Sequence, residues 1–542
     1  MRDLADPKQP NSIRGLTIEG EGHRYYPGRE LAGALLGFVA PDGQGKDGIE
    51  LSEDEQLRGK VEEVQGLRDR TGRLIFDGVD EERALQGDDV VLSIDEGIQH
   101  VAERELDAAM RTYETKGASL AVVDPSTGEV LAMASAPGYN PNDYSESEAD
   151  ARRDRVVTDR FEPGSVMKTF VIASALAAGT LKPTDTIDCE HGVIQVGGVT
   201  IHDTHVNDRL TPTQVLAKSS NIGALKIGLE LGGPALYAAY RRFGFGEPTG
   251  IPLPGEAEGI LRPKGRPWVD AEIASASFGQ GISVTTLQLA LAMAAVANGG
   301  HLLEPVLVKR ITHARGGVVS ETGTRVRREV IPPSVARSVA DMLTAVTEEG
   351  GTAVEAAISG FRVAGKTSTA QKVDPATGTY STDKYTAVFV GFVPAERPRL
   401  VVAVVLDEPT IGHYGGDLAG PVFRRVAEAS LRYLGVTPSP SAARVAPRKR
   451  DADAPDLAAP RTPGAGPDPA ASSTAAGSGV ATGSARVPDA TGMPARDAVA
   501  AISRAGFVPQ VDGWGRTVRQ SPAPGTAAPK GSSVRVVLEP AS

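Results

Sequence analysis

The chain has 542 residues, 40% hydrophobic and 23% charged, enough apolar material for two or more domains with a substantial core. Its formal net charge of −11 argues against nucleic acid as the main partner, and a single cysteine, Cys189, excludes an internal disulfide framework. No apolar stretch reaches membrane-spanning length, the longest being residues 287–297, and residues 1–7 carry no signal-peptide apolar region.

Residues 1–88 are rich in glycine and charge, with short apolar runs, and read as a small, irregular, mostly extended module. From Val90 the texture changes. Residues 90–94 read as a strand, and Ile98, Val101, Ala102, Leu106, Ala109 and Met110 recur at helical spacing. Residues 118–123 and 129–135 flank Asp124-Pro125-Ser126-Thr127-Gly128, a β-hairpin with suitable turn chemistry. Residues 166–178 are apolar on every face except at Lys168, Thr169 and Ser174, which describes a helix buried all round. Pro163 and Gly164 punctuate the chain before it and Gly179 ends it.

Thr211-Pro212-Thr213 has a cap and a first-turn proline, so a helix should run to about Ala217 and another begin near Ile222. Lys218-Ser219-Ser220-Asn221 falls at their junction. Further helices are expected over residues 285–297, 333–347 and 422–434, and strands over residues 386–393 and 400–406. One early hairpin, two late strands and helices between imply a mixed domain whose sheet joins both ends of this region. Residues 436–486 turn to Pro, Ala, Ser and Gly and should form a disordered linker. Residues 487–538 then read as a compact module with a helix carrying Ala498, Val499 and Ile502, and strands near 507–511, 517–520 and 533–538. Trp514 and Arg516 are its candidate contact residues.

Three stretches carry chemistry. On a helix Lys168 lies one turn beyond Ser165, with its amine within reach of the hydroxyl, and burial together with the helix dipole favours the neutral amine. A neutral amine beside a serine is a base beside a nucleophile, and the helix start offers the Ser165 N–H to an oxyanion. Ser381-Thr382-Asp383-Lys384 has the same spacing in a turn-rich stretch with no helix to bury its lysine, so it is set aside. Ser219 and Asn221 offer a hydroxyl and an amide that can relay a proton and hold the lysine. Lys366-Thr367-Ser368-Thr369, a cation among small hydroxyls at a strand edge, suits a carboxylate-bearing substrate lying extended alongside.

Together these elements match the signature set of penicillin-binding proteins and class A β-lactamases. The chain resembles a class B penicillin-binding protein, a peptidoglycan D,D-transpeptidase of the division type. The resemblance extends through Tyr26-Pro27-Gly28, Leu35-Leu36-Gly37-Phe38, Gly45-Lys46-Asp47-Gly48-Ile49-Glu50, Phe278-Gly279-Gln280-Gly281 and Tyr414-Gly415-Gly416. The C-terminal module, with Val487-Pro488-Asp489 and Gln520-Ser521-Pro522-Ala523-Pro524-Gly525, resembles a PASTA domain.

The resemblance implies a mixed α/β (α+β) fold: an N-terminal pedestal over 1–88, a transpeptidase domain with antiparallel sheet and helices over 89–435, a linker over 436–486 and a PASTA domain over 487–542. It further implies that Ser165 attacks the penultimate D-alanine carbonyl of a stem peptide, that Lys168 takes its proton, and that Ser219, steadied by Asn221, returns a proton to the departing D-alanine. Lys366, Thr367 and Thr369 would hold the substrate carboxylate, and the N–H groups of Ser165 and Thr369 would form the oxyanion hole. No cofactor or metal is implied.

The implied partners are stem peptides of the lipid-linked wall precursor, β-lactams as inhibitors, a glycosyltransferase and divisome proteins. The implied location is the inner membrane with the catalytic domain facing the periplasm, its anchor expected ahead of Met1. The chain departs from the family pattern at Ser368, where the common motif has glycine.

Other readings compete. A β-lactamase or carboxypeptidase shares the three motifs but has no evident use for the pedestal and PASTA-like module. A wall-binding scaffold with a decayed site is motivated by Ser368, although every expected nucleophile, base and cation position is filled. A Ser-His-Asp hydrolase lacks a serine elbow in the ordered regions. Cys189, His191, His202 and His205 crowd into one segment, but the Cys-x-His spacing suits loop residues better than zinc.

Overall fold

The computed structural model describes residues 24–59, 67–68, 74–75, 86–261, 266–314, 316–374, 377–438, 484–513 and 516–539. Its centre is a five-stranded sheet of β1 (Gly117–Val123), β2 (Val130–Ala136), β3 (Ala364–Val373), β4 (Tyr380–Val393) and β5 (Leu400–Asp407). The strand order is β3-β4-β5-β1-β2, with every pair antiparallel. β1 lies beside β5, with Val123 opposite Val401, so the early hairpin and the late strands meet as expected. Every residue of β1 is buried, and so is every residue of β5 except Asp407. A continuous apolar run of this kind requires both faces of the sheet to be covered.

Helices supply that cover. Those that matter for the site are α1 (Glu96–Tyr113), α2 (Met167–Ala178), α3 (Pro212–Ala217), α4 (Asn221–Leu231), α5 (Thr286–Ala297), α6 (Pro333–Thr344) and α7 (Gly415–Tyr433). α1 and α7 pack on each other and on one sheet face, while α5 covers the other. α2 is enclosed among α4, α6 and further helices, and its first nine residues are all buried. Gly179 closes it in the left-handed conformation, φ 75°, where a Cβ is disfavoured.

Two expectations need correction here. α7 begins at Gly415, seven residues before the expected start at 422, and accommodates Pro421 inside the helix. β4 begins at Tyr380 and takes in Ser381 to Lys384, which were expected to form a turn.

The described part of the N-terminal module also differs from the extended segment expected. It forms short helices, Gly33–Leu36, Gly48–Ser52 and Asp54–Leu57, the second capped by the Asp47 carboxylate accepting from the Gly48 N–H at 2.8 Å. Leu35 and Ile49 belong to the main core, which explains why the stretch need not supply a core of its own. It is tied to α1 by the Ala32 N–H donating to Glu103 Oε1 at 2.7 Å, and burial pushes the Glu103 carboxyl up to about 7.

At the C-terminus a helix, Ala495–Arg504, packs on a three-stranded sheet, with Ala498, Ile502, Val534 and Val536 in a separate small core. Strand Ser484–Arg486 pairs with Ala527–Pro529, so this module begins three residues before the expected boundary at 487. The expected linker falls largely outside the described residues, as does Trp514; the Arg516 guanidinium donates to the Gly492 carbonyl at 2.8 Å.

The central sheet should dominate stability. Leu120→Ala, at a fully buried β1 position, is expected to cost about 3 kcal/mol, against less than about 0.5 kcal/mol for Val319→Ala on an exposed edge strand. Chemical denaturation of the two variants measures the difference.

Candidate active site

Gly164, with φ +52°, opens a tight turn, Gly164–Val166, that runs directly into α2 and places Ser165 at its mouth. Glu162, three residues earlier, fixes the approach: its carboxylate accepts from the Gly281 N–H at 2.9 Å and from the Tyr380 hydroxyl at 3.0 Å.

Lys168, the second residue of α2 and one turn beyond Ser165, is completely excluded from solvent. Its amine lies 2.6 Å from the Ser219 carbonyl, 2.7 Å from Asn221 Oδ1 and 3.2 Å from Ser219 Oγ. The amine therefore reaches the Ser219 and Asn221 pair as expected. The expected contact with the nucleophile is different: the described residues show no hydrogen bond between the Lys168 amine and the Ser165 hydroxyl.

Burial holds the Lys168 pKa well below that of an ordinary lysine; the nearby charge of Lys366 lowers it further, and Asp203 opposes both. Lys366, equally buried, is pushed down to about 7 by desolvation. Its amine donates to Ser219 Oγ at 3.1 Å. Ser219 Oγ thus accepts from both amines, so one hydroxyl joins Lys168 to Lys366.

Ser219 occupies the corner between α3 and α4 with φ +56°, an uncommon conformation for a residue with a Cβ. The corner is held from both sides. α3 starts with a capping box of Thr211 and Gln214, and α4 is capped by Ser220 Oγ accepting from the Gly223 N–H at 2.9 Å. Asp203 clamps this corner: Oδ2 accepts from Ser220 Oγ at 2.6 Å and Oδ1 from the Ile222 N–H at 3.0 Å. The Asn221 side-chain amide donates to the His202 carbonyl at 2.9 Å, which orients its oxygen toward Lys168.

β3, at the sheet edge, brings the third stretch to the same point. Thr367 Oγ1 lies 3.0 Å from Thr352 Oγ1 and 3.3 Å from the Lys366 amine. Thr369 Oγ1 accepts from the Gly415 N–H at 2.9 Å, linking β3 to the start of α7. Ser368 turns toward Ser165, and its Oγ accepts from the Ser165 backbone N–H at 3.0 Å. Backbones approach closely here: a Cβ on Gly415 would stand 2.1 Å from the Ser368 carbonyl, and one on Gly279 would stand 2.2 Å from the Gly164 carbonyl.

The structure thus gathers Ser165, Lys168, Ser219, Asn221, Lys366, Thr367 and Thr369 at one site. Ser381 lies apart on β4, its hydroxyl donating to Asp383 Oδ1 at 2.5 Å. The Cys-His segment supports the corner: Cys189 is buried with its Sγ 3.6 Å from Ser220 Oγ, and His191 pairs with Asp208 at 2.6 Å. Among the described residues no group of three or more His, Cys, Asp or Glu could hold a metal. Asp203, Thr352 and Glu162 were missed as parts of the site. Asp203 sits in a polar loop with nothing local to show that it meets a serine seventeen residues later.

These features bring a serine, two buried lysine amines and a bridging hydroxyl together at one site. The profile described as "Penicillin binding protein transpeptidase domain" matches residues 118–428, and the PASTA domain profile matches residues 485–540. The chain is 38% identical over 443 residues to "Probable peptidoglycan D,D-transpeptidase PenA" of Neisseria meningitidis, spanning 80% of this chain and 73% of the relative. It is 38% identical over 437 residues to Peptidoglycan D,D-transpeptidase FtsI of Escherichia coli, spanning 80% and 71%. Penicillin-binding protein 3 from Mycobacterium tuberculosis, solved with aztreonam, superposes with a TM-score of 0.69 at 31% identity, covering 77% of this chain and 92% of that one. The chain belongs to the penicillin-binding protein transpeptidase family and carries a PASTA domain.

The two neighbours of Lys168 should move its titration in opposite directions. Lys366→Met removes a like charge and should raise the Lys168 pKa; Asp203→Asn removes an opposite charge and should lower it. NMR titration of isotope-labelled lysine side chains reads both, and shifts of the same sign would contradict the arrangement.

Proposed function

We propose that this chain is a serine-type peptidoglycan D,D-transpeptidase that cross-links stem peptides in septal wall synthesis. The observation that carries the reading is the buried Lys168 amine, held by Ser219 and Asn221 one helical turn beyond Ser165.

In this mechanism the Ser165 oxygen attacks the carbonyl of the penultimate D-alanine and its proton passes to the Lys168 lone pair. As the tetrahedral intermediate collapses, the C–N bond to the terminal D-alanine breaks and that nitrogen takes a proton from the Ser219 hydroxyl, which is replenished from Lys168. An amine from a neighbouring stem peptide attacks the acyl-enzyme by the reverse sequence, losing its proton through the same groups and returning the Ser165 hydroxyl. Lys366, with Thr367 and Thr369, binds the substrate carboxylate, and the Ser165 and Thr369 N–H groups receive the oxyanion. A β-lactam acylates the same serine through its strained amide.

No described helix is long and apolar enough to cross a membrane. The proposed location is the outer face of the inner membrane. The proposed partners are the lipid-linked wall precursor, a glycosyltransferase and divisome proteins.

Ser165→Ala should abolish covalent labelling by a fluorescent penicillin while leaving the melting temperature unchanged, and Ser381→Ala should label normally. Reversed outcomes would contradict the site.

Lys168→Met should slow acylation about 100-fold or more, the usual worth of a general base. Lys366→Met should mainly weaken apparent affinity, by about tenfold to 100-fold for a lost charged hydrogen bond. Stopped-flow acylation kinetics separate the two, and equal losses confined to the rate step would contradict these roles.

A further inference from the structure

The hydroxyl that stands where the family motif has glycine is buried, 2% exposed, and it occupies a group that the reaction needs. Ser368 Oγ accepts the hydrogen bond of the Ser165 backbone N–H at 3.0 Å. That N–H sits at the start of the nucleophile's helix and is one of the two donors assigned to the oxyanion. It cannot make a full hydrogen bond to Ser368 and to an incoming carbonyl oxygen at once.

The niche is shaped for the hydroxyl. A Cβ on Gly164 would stand 2.2 Å from Ser368 Oγ and 3.4 Å from Ala370 Cβ, so the serine is accommodated because residue 164 has no side chain. The Ser165 N–H that follows Gly164 points at β3, where it meets the Ser368 hydroxyl.

We propose that Ser368 is a rate-setting residue that caps the oxyanion donor in the resting enzyme, and that a substrate carbonyl gains this donor only by displacing its hydroxyl. The inference rests on the transpeptidase reading and deepens it. The hydroxyl must be displaced before the oxyanion of either tetrahedral intermediate can use this donor, so it slows acylation and breakdown of the acyl-enzyme alike. Capture of the substrate carboxylate by Lys366 and Thr367 is unaffected.

The test compares the full chain with Ser368→Gly and Ser368→Ala, using a fluorescent penicillin to resolve apparent affinity from the acylation step and then following release of label. Both variants should acylate about three- to tenfold faster, the worth of one ordinary hydrogen bond. Release should accelerate in the same sense, with apparent affinity unchanged.

Unchanged or slower acylation in both variants would overturn the proposal, the slower case making the hydroxyl a helper of the intermediate. A gain in Ser368→Gly without one in Ser368→Ala would also overturn it, since bulk rather than the hydroxyl would then be responsible. Melting temperatures close to that of the parent chain establish that each variant is folded. A parent chain that takes no label on Ser165 would instead defeat the transpeptidase reading itself, which keeps the two failures apart.

Discussion

Two lysine amines, both removed from water, share one serine hydroxyl, and the site depends on that constraint. Two buried ammonium groups around Ser219 would repel each other and each would forfeit its hydration, so the arrangement favours at most one positive charge. The chain meets that cost with hydrogen bonds: Asn221 and the Ser219 carbonyl for Lys168, and Thr367 for Lys366. Asp203 supplies a partial counter-charge from behind. The outcome is a Lys168 amine held well below the ordinary lysine range beside a Lys366 amine pushed down to about 7, an uneven pair bridged by one hydroxyl.

Enforcing this pair takes three separate parts of the fold. α2 must be buried all round to desolvate Lys168, β3 must lie at the sheet edge to bring Lys366 across, and the α3–α4 corner must hold Ser219 in a conformation it would not adopt alone. The parts approach so closely that Gly164, Gly279 and Gly415 have no room for a side chain. Ser368 is the exception to this economy. Its hydroxyl fills space that a glycine would leave open and meets a backbone donor there.

Much of the arrangement was legible in the sequence. The all-round apolar run after Ser165 could only be a buried helix, which made Lys168 anomalous and thus informative. The apolar runs of β1 and β5 likewise signalled strands, and the structure adds that both of their faces are covered. What was not legible has a common cause, since it depends on contacts between distant segments. Asp203 reads as an ordinary loop acid until Ser220 is placed beside it. Ser368 reads as a small variation in a motif until its hydroxyl is seen against the Ser165 N–H. The early start of α7 was hidden by Pro421, and the N-terminal helices by borrowing their core from the catalytic domain, so that local hydrophobicity understated them.

The claim that Ser165 is the nucleophile can be read directly from the position of a covalent adduct. Tryptic cleavage after Arg160 and Lys168 isolates the short peptide carrying Ser165, and cleavage after Lys372 and Lys384 isolates the one carrying Ser381. Tandem mass spectrometry of the penicillin-treated full chain should place the whole adduct on the first peptide, at Ser165. An adduct on the second peptide, or on any other serine, would contradict the account.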